Sequence, residues 1–463
     1  MAVLPSVDRC VARRTLRIGL DSKVERSGFG GCVAMKRIQL RTLTMMTAVS
    51  MTVFAASCGS GSSSPPPIVA PDPDPDPDPI PVVQLGDPRS DLTDDELAAF
   101  HRGREMFLKR FKPSEGLGPL YNATSCVSCH SKPVPGGASE LYRNFYVASW
   151  GFPPFLFDLP GLPSPVVPAY GSTLNAPFSL ETGRIVIPET ISSVPVASDQ
   201  RNGIPMFGTG LFELISDETI LGNADPNDSD NDGISGRINV DGAGVGRFGS
   251  KAQANNIELF TRAPLFNQMG ISSNPVQGSA GTVSLGHGAL MQGSATPNAP
   301  TADNDGIPDP EISTQDLSDL IAFTRFLAPP QKKVFNNAAT RGEQTFAQVG
   351  CTDCHIPALE SSKGPVEAYT DLLIHNMGPE IAGEVSFGTP QPSSIDPVTN
   401  EAEWRTAPLW GVSSVAPYLH DGRASTLLEA ILLHGGEGAS SRKGFNALTA
   451  LEQEDLLAFL EHL

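Results

Sequence analysis

The sequence predicts a mainly α-helical chain with much irregular structure, organised as two halves of one plan. Three observations support this. The pentapeptide CxxCH occurs twice, as Cys126-Val127-Ser128-Cys129-His130 and Cys351-Thr352-Asp353-Cys354-His355. A segment with a helix-capping pattern precedes each copy, and a second amphipathic segment closes each half. In the first half, Thr93-Asp94-Asp95-Glu96 is a capping box, in which the Thr hydroxyl and the Glu carboxylate satisfy each other's orphan backbone donors. It opens a helix with Leu97, Phe100, Phe107 and Phe111 on the apolar side. Residues 131 to 310 are rich in Gly, Pro, Asn and Asp and predict a loop-dominated insertion with a few short strands. Residues 314–327 place Leu317, Leu320, Ile321 and Leu327 at helical spacing and stop at Pro329-Pro330. Thr340-Arg341-Gly342-Glu343 repeats the capping pattern ahead of the second CxxCH, and residues 449–463 close the chain behind a cap from Thr449 to Glu452.

Each CxxCH reads as a covalent attachment site for a c-type haem. Two thiols three residues apart on one helical turn reach the two vinyl groups, and the adjacent imidazole falls under the iron as proximal ligand. A four-thiolate zinc site would have to join two distant pairs and leave both histidines idle. A thioredoxin-like dithiol would need a strand–helix junction and no trailing histidine. Helix, CxxCH, insertion and closing helix is the order of a cytochrome c domain, whose first and last helices cross. The expectation is therefore two cytochrome-c-like domains, residues 86–332 with the large loop-rich insertion and residues 333–463.

Haem attachment of this type takes place outside the bacterial inner membrane, and the front of the chain carries an export pattern. Met35-Lys36-Arg37 and Arg41 form a basic region ahead of a mostly apolar stretch too short to span a bilayer. That stretch ends in Ala55-Ala56-Ser57-Cys58, which resembles a lipobox, so residues 35–58 read as a signal peptide with Cys58 as the lipidated residue. Cleavage as an ordinary signal peptide would leave Cys58 incidental. Residues 1–34 read as an upstream extension. Residues 59–85 form a Pro/Asp-rich tether that cannot bury a core. The expected location is the periplasm or outer membrane, with membrane contact through the lipid anchor alone. The formal charge of −19 argues against nucleic acid and suits either a solvated acidic surface or docking to a basic redox partner.

Five stretches resemble the bacterial di-haem cytochrome c peroxidase superfamily, and within it the di-haem oxidoreductases: RNGIPMFGTGLFELI from Arg201, DNDGISGR from Asp230, GRFGSKA from Gly246, YTDLLIHNMGPE from Tyr369, and EWRTAPLWGVSSVAPYLHDGRASTLLEAILLHGGE from Glu403. The resemblance implies a division of labour, with electrons from a small periplasmic protein such as a cytochrome c or cupredoxin entering at the C-terminal haem. A small-molecule oxidant, hydrogen peroxide, would meet the N-terminal one. Relatives place a methionine ligand where this chain has His434, which implies a bis-histidine second haem, His355 with His434, and a lower potential than His/Met ligation would give. The alternative for His434 is a surface histidine at a helix C-terminus. His375 and Met377 are reserve ligands, and His420 is expected to hydrogen-bond backbone or a haem propionate.

At the first haem, relatives use a distal glutamate before a Met-Gly pair, whereas here the run is Asn267-Gln268-Met269-Gly270. An amide can orient a ligand but cannot shuttle a proton. Glu258 and Lys251 are the further catalytic candidates implied by the resemblance, against ordinary surface roles for all three. Asp228, Asp230 and Asp232 have the DxDxDG spacing of a calcium loop, without a glutamate at the twelfth position, where Asn239 stands. A solvated acidic turn is the alternative. Among the tryptophans, Trp410 is the best candidate for an electron stepping stone, against simple burial. The function implied is a di-haem peroxidase-like oxidoreductase. The rivals are a di-haem oxygenase acting on an organic substrate with dioxygen and a non-catalytic electron-transfer cytochrome.

Overall fold

The computed structural model describes residues 84–463 apart from 153–154, 160–161, 163–164, 172–179, 182–183, 186, 241–243, 275–304, 384 and 386–399. The upstream extension, the signal-like segment with Cys58 and nearly all of the tether lie outside the described residues. Among the described residues no helix is long and apolar enough to cross a membrane.

Helices α1 (Asp94–Leu108), α2 (Asp217–Leu221), α3 (Ile257–Met269), α4 (Thr314–Phe326), α5 (Asn337–Gln348), α6 (Leu427–Leu432), α7 (Ala439–Ala447) and α8 (Ala450–His462) follow one another along the chain. The capping boxes at Thr93 and Thr449 form as the sequence predicts. At α5 the start differs. Asn336 caps it by accepting from the Ala339 N–H at 2.8 Å, and Thr340 lies inside the helix with its hydroxyl on the Asn336 carbonyl.

α1 packs across α4, and α5 packs across α8. Both crossings use the same parts. A Cβ on Gly103 of α1 would stand 1.8 Å from the Asp319 carbonyl oxygen of α4, and one on Gly342 of α5 would stand 1.9 Å from the Asp455 oxygen of α8. Only glycine lets the backbones approach so closely. The residue before each glycine, Arg102 or Arg341, grips the side chain of that same aspartate with two bonds, both 2.9 Å in the first pair and both 2.7 Å in the second. Four residues after each glycine and each aspartate comes a phenylalanine: Phe107 meets Phe323 at 4.8 Å and Phe346 meets Phe459 at 5.2 Å between ring centroids. The duplicated pattern is Arg-Gly-x-x-x-Phe against Asp-x-x-x-Phe.

The insertion is less irregular than its composition predicts. The eight-residue strand Phe145–Phe152 is the centre of an antiparallel sheet, flanked by Phe155–Asp158, Val166–Val167 and the eight-residue strand Val194–Arg201. The run FYVASWGF lacks the polar/apolar alternation of a half-solvated strand, and both Val147 and Ala148, on opposite faces, are fully buried. Helix α3 also escapes a composition reading because Pro264 sits inside it. Asn256 caps its start, and Gly270, at φ +73°, ends it in the left-handed conformation that glycine adopts without strain.

Candidate functional site

The first CxxCH forms one tight turn, Cys126–Ser128, in which the Cys129 and His130 N–H groups both donate to the Cys126 carbonyl. The preceding helix pair sets its position, since the His130 ring lies 6.3 Å from Phe107 at the α1/α4 crossing. Both thiols and the imidazole line a cavity of about 240 Å³ closed on its far side by α3. His130 Nδ1 lies 3.2 Å from the Gly137 carbonyl. With that nitrogen donating, the Nε2 lone pair is left for a metal. Burial lowers the pKa of His130, keeping it neutral, and pushes the Cys126 thiol up to about 12. These are neutral thiols beside apolar walls, a poor thiolate zinc site and a fitting donor set for a tethered porphyrin iron.

Of the three catalytic candidates, Gln268 alone lines this cavity. Its side-chain oxygen accepts from Asn122 Nδ2 at 2.8 Å, and its backbone carbonyl accepts from the Asn122 and Ala123 N–H groups. Asn122 is itself fixed by the Ala169 N–H, 2.6 Å from its Oδ1. The amide oxygen is thus committed, and the NH₂ end is the donor left to act. Glu258 is turned to Arg262, at 2.6 and 3.0 Å, and does not line the cavity. Lys251 is buried, but its ammonium donates to the Glu401 and Glu403 carbonyls and stands 3.7 Å from the Trp404 ring centroid. Neither belongs to the distal wall as the structure stands. Arg201, Asn202 and Gln253 do line the cavity. Sequence reasoning passed over them, although Arg201 opens one of the stretches that carries the resemblance.

The second CxxCH repeats the first. His355 N–H donates to the Cys351 carbonyl, His355 Nδ1 lies 2.9 Å from the Tyr369 carbonyl, and its ring lies 6.2 Å from Phe346 at the α5/α8 crossing. Burial pushes His355 down to about 4, and the nearby His434 adds to that effect. His434 Nδ1 pairs with the Ala430 carbonyl at 2.7 Å, and burial lowers its pKa too. His462 makes the same bond to Ala458, so the bond alone does not mark a ligand. Its nearness to His355, whose pKa it helps to lower, sets His434 apart. Met377 is close by, because its methyl and the His434 Cβ both stand within 3.2 Å of where a Gly438 Cβ would be.

His375 is a different case from the reserve ligand the sequence suggested. Nε2 is 2.8 Å from Asp371 and Nδ1 is 2.7 Å from Glu437. Burial opposes its charge, but the carboxylates prevail and raise its pKa well above the ordinary value, leaving an imidazolium with no lone pair to ligate iron. Glu437 also accepts from the Ser235 N–H and hydroxyl and the Asn376 N–H, at 2.6–3.0 Å. Burial works against this carboxylate as well, and His375 outweighs it, pulling the pKa down to about 2. This clasp joins the segment after His434 to the insertion. The Asp228, Asp230 and Asp232 carboxylates lie just upstream of Ser235, each with one oxygen within 4.8 Å of the others, and the charge of Asp232 reaches the second motif, since burial and Asp232 raise Asp353.

The HDGR stretch belongs by sequence to the second half but docks on the first site. Asn202 N–H donates to the His420 carbonyl at 2.8 Å, and Asn144 Nδ2 to the Asp421 carbonyl at 2.7 Å. The His420 ring stacks on Trp404, with centroids 3.6 Å apart and planes 7° apart. Trp404 is in turn the register partner of His375, on strands Glu403–Arg405 and Ile374–Asn376. Trp410 stacks on Phe212 at 5.4 Å and packs against the large core.

The family described as "Di-haem oxidoreductase, putative peroxidase" matches residues 176–463, a span that takes in Gln268, the second CxxCH and His434 and begins after the first CxxCH. Among solved structures, the chain is similar to a hydrazine synthase of Kuenenia stuttgartiensis studied under xenon pressure. The identity is 22% over 33% of this chain and 56% of that one, with a TM-score of 0.24, so this chain spans little more than half of the hydrazine synthase chain. It is also similar to a MauG-like protein associated with microbial copper homeostasis, at 17% identity over 83% of this chain and 94% of that one, with a TM-score of 0.35. No curated protein matches. With more than half of its length inside the family match, the chain belongs to the di-haem oxidoreductases.

Proposed function

We propose that this chain is an exported oxidoreductase of peroxidase type, in which hydrogen peroxide is reduced in the cavity over the first CxxCH. The carrying observation is that cavity, with a histidine whose Nδ1 is tied back on one side and an amide fixed by Asn122 on the other. A haem held by Cys126, Cys129 and His130, and a second held by Cys351, Cys354 and His355 with His434 as the further axial ligand, would supply one-electron redox chemistry and a place for a small oxidant. The chain's own share is positional. Gln268 presents an N–H donor to a bound oxygen atom, and the apolar walls keep bulk water away. The donor is a small redox protein of the cytochrome c or cupredoxin kind. Calcium at Asp228, Asp230 and Asp232 and lipidation at Cys58 complete the reading.

The test is steady-state peroxide reduction with a reduced donor, and an enzyme inert with every donor would end the proposal. Gln268→Glu puts a proton acceptor where Asn122 can still hold one of its oxygens. It is expected to raise peroxide turnover by on the order of 100-fold, the usual scale of general acid–base catalysis. An unchanged rate at full haem content would show that this position does not face the oxidant. The neutral amide favours a second reading, dioxygen chemistry on an apolar organic substrate. Oxygen uptake dependent on such a substrate, without peroxide turnover, would select it.

A further inference from the structure

We propose that Arg201 is the anion anchor of the first cavity, its guanidinium binding a propionate carboxylate of the haem held by Cys126, Cys129 and His130. This rests on the two-haem reading above and goes beyond it by assigning the residue that orients the group. Arg201 ends the strand Val194–Arg201 opposite Phe145, and both side chains line the cavity. Among the described residues of that lining, Arg201 is the one charged side chain. It is only 3% exposed.

Its present partners leave one edge underused. Nη1 donates to the Gln200 carbonyl at 3.1 Å, while Nη2 makes two long contacts of 3.4 Å, to Asp199 and to the Val385 carbonyl. Nε is buried without a partner. Asp199 is shared, since its carboxylate also accepts from the Val385 N–H at 2.7 Å. Nε and Nη2 together form the side edge of the guanidinium, the pair of parallel donors that a carboxylate takes bidentately. A buried cation with an unmet donor is costly, and a carboxylate arriving with the ligand removes that cost. The macrocycle is apolar apart from its two propionates. In a cavity walled by Phe107, Val166 and Leu265, the anionic end is drawn to the single cation.

Arg201 is therefore a positioning residue, and its test reads the haem rather than turnover. The haem of the first motif is assigned by its loss from the C126A/C129A chain. The potentials of both haems are then measured by spectroelectrochemical titration in the full protein and in Arg201→Met and Arg201→Lys. Loss of the cation should shift the first haem to a lower potential and leave the second unmoved, and Arg201→Lys should recover most of the shift. Should the Met variant lose the first haem altogether, the Lys variant decides. Two haems and a near-normal potential support the anchor, and the same loss overturns it. Unchanged potentials in a two-haem Met variant overturn the anchor alone. Unsubstituted protein carrying no haem at the first motif overturns the anchor and the reading beneath it together.

Discussion

Gly342→Ala is expected to destabilise the protein by about 3 kcal/mol or more, at the upper end of what overpacking costs. The added methyl would stand 1.9 Å from the Asp455 oxygen, 2.5 Å from its carbonyl carbon and 2.8 Å from the Phe459 Cβ. Two of these three atoms are backbone, so no rotamer change relieves the clash and α5 must part from α8. Parting the helices would lengthen the paired bonds from Arg341 to Asp455 and open the Phe346–Phe459 contact against which His355 sits. Gly103→Ala should do the same to the first pair, where the approach to Asp319 is 1.8 Å. Chemical denaturation together with haem retention checks both. A midpoint within error of the unsubstituted protein would mean that the helices do not cross at these glycines.

Glu437→Ala should have the other large effect, about 3–5 kcal/mol, the cost of removing one partner from a buried ion pair. His375 would remain charged with Asp371 alone, and the Ser235 and Asn376 donors would lose their acceptor. Because Glu437 lies three residues after His434, the spectrum of the second haem should change while that of the first stays as it was. The pH dependence follows from the directions of the two shifts. Glu437 is depressed from 4.5 to about 2, so its stabilisation is present above 4.5 and fades as pH falls toward 2. His375 is raised well above 6.5, so its stabilisation is full below 6.5 and fades as pH rises through the higher value. The clasp is strongest between about 4.5 and 6.5. Glu437→Ala should weaken both limbs of the stability profile, and a variant with the acid limb unaltered would contradict the pairing.

What the sequence made legible was local. The two CxxCH turns and the helices beginning at Asp94, Thr314 and Ala450 are properties of short windows, and Gln268, singled out from the run Asn267-Gln268-Met269-Gly270, lines the same cavity as His130. Glu258 went wrong for a geometric reason. Ten residues of α3 separate it from Gln268, about 2.8 turns, so the two point to different sides of the helix. Arg262, one turn on from Glu258, offered a nearer partner. Lys251 went wrong because its acceptors are backbone carbonyls 150 and 152 positions away, which leave no side-chain signature. The Asp371–His375–Glu437 clasp was hidden similarly, since the bond from His375 to Glu437 spans 62 positions and those from Ser235 to Glu437 span 202. The glycine crossings were readable in principle. Arg-Gly-x-x-x-Phe occurs before each CxxCH and Asp-x-x-x-Phe in each closing helix, a repeat that hydrophobic periodicity alone passes over.

The most direct test is covalent haem content. Purified protein from a host competent in c-type haem attachment is denatured, extracted with acidified solvent and examined by alkaline pyridine spectroscopy and intact mass. Two haems should stay on each chain, and the C126A/C129A and C351A/C354A variants should each lose one. A chain that retains fewer than two, or a cysteine-pair variant that still retains both, would contradict the assignment of one porphyrin to each CxxCH.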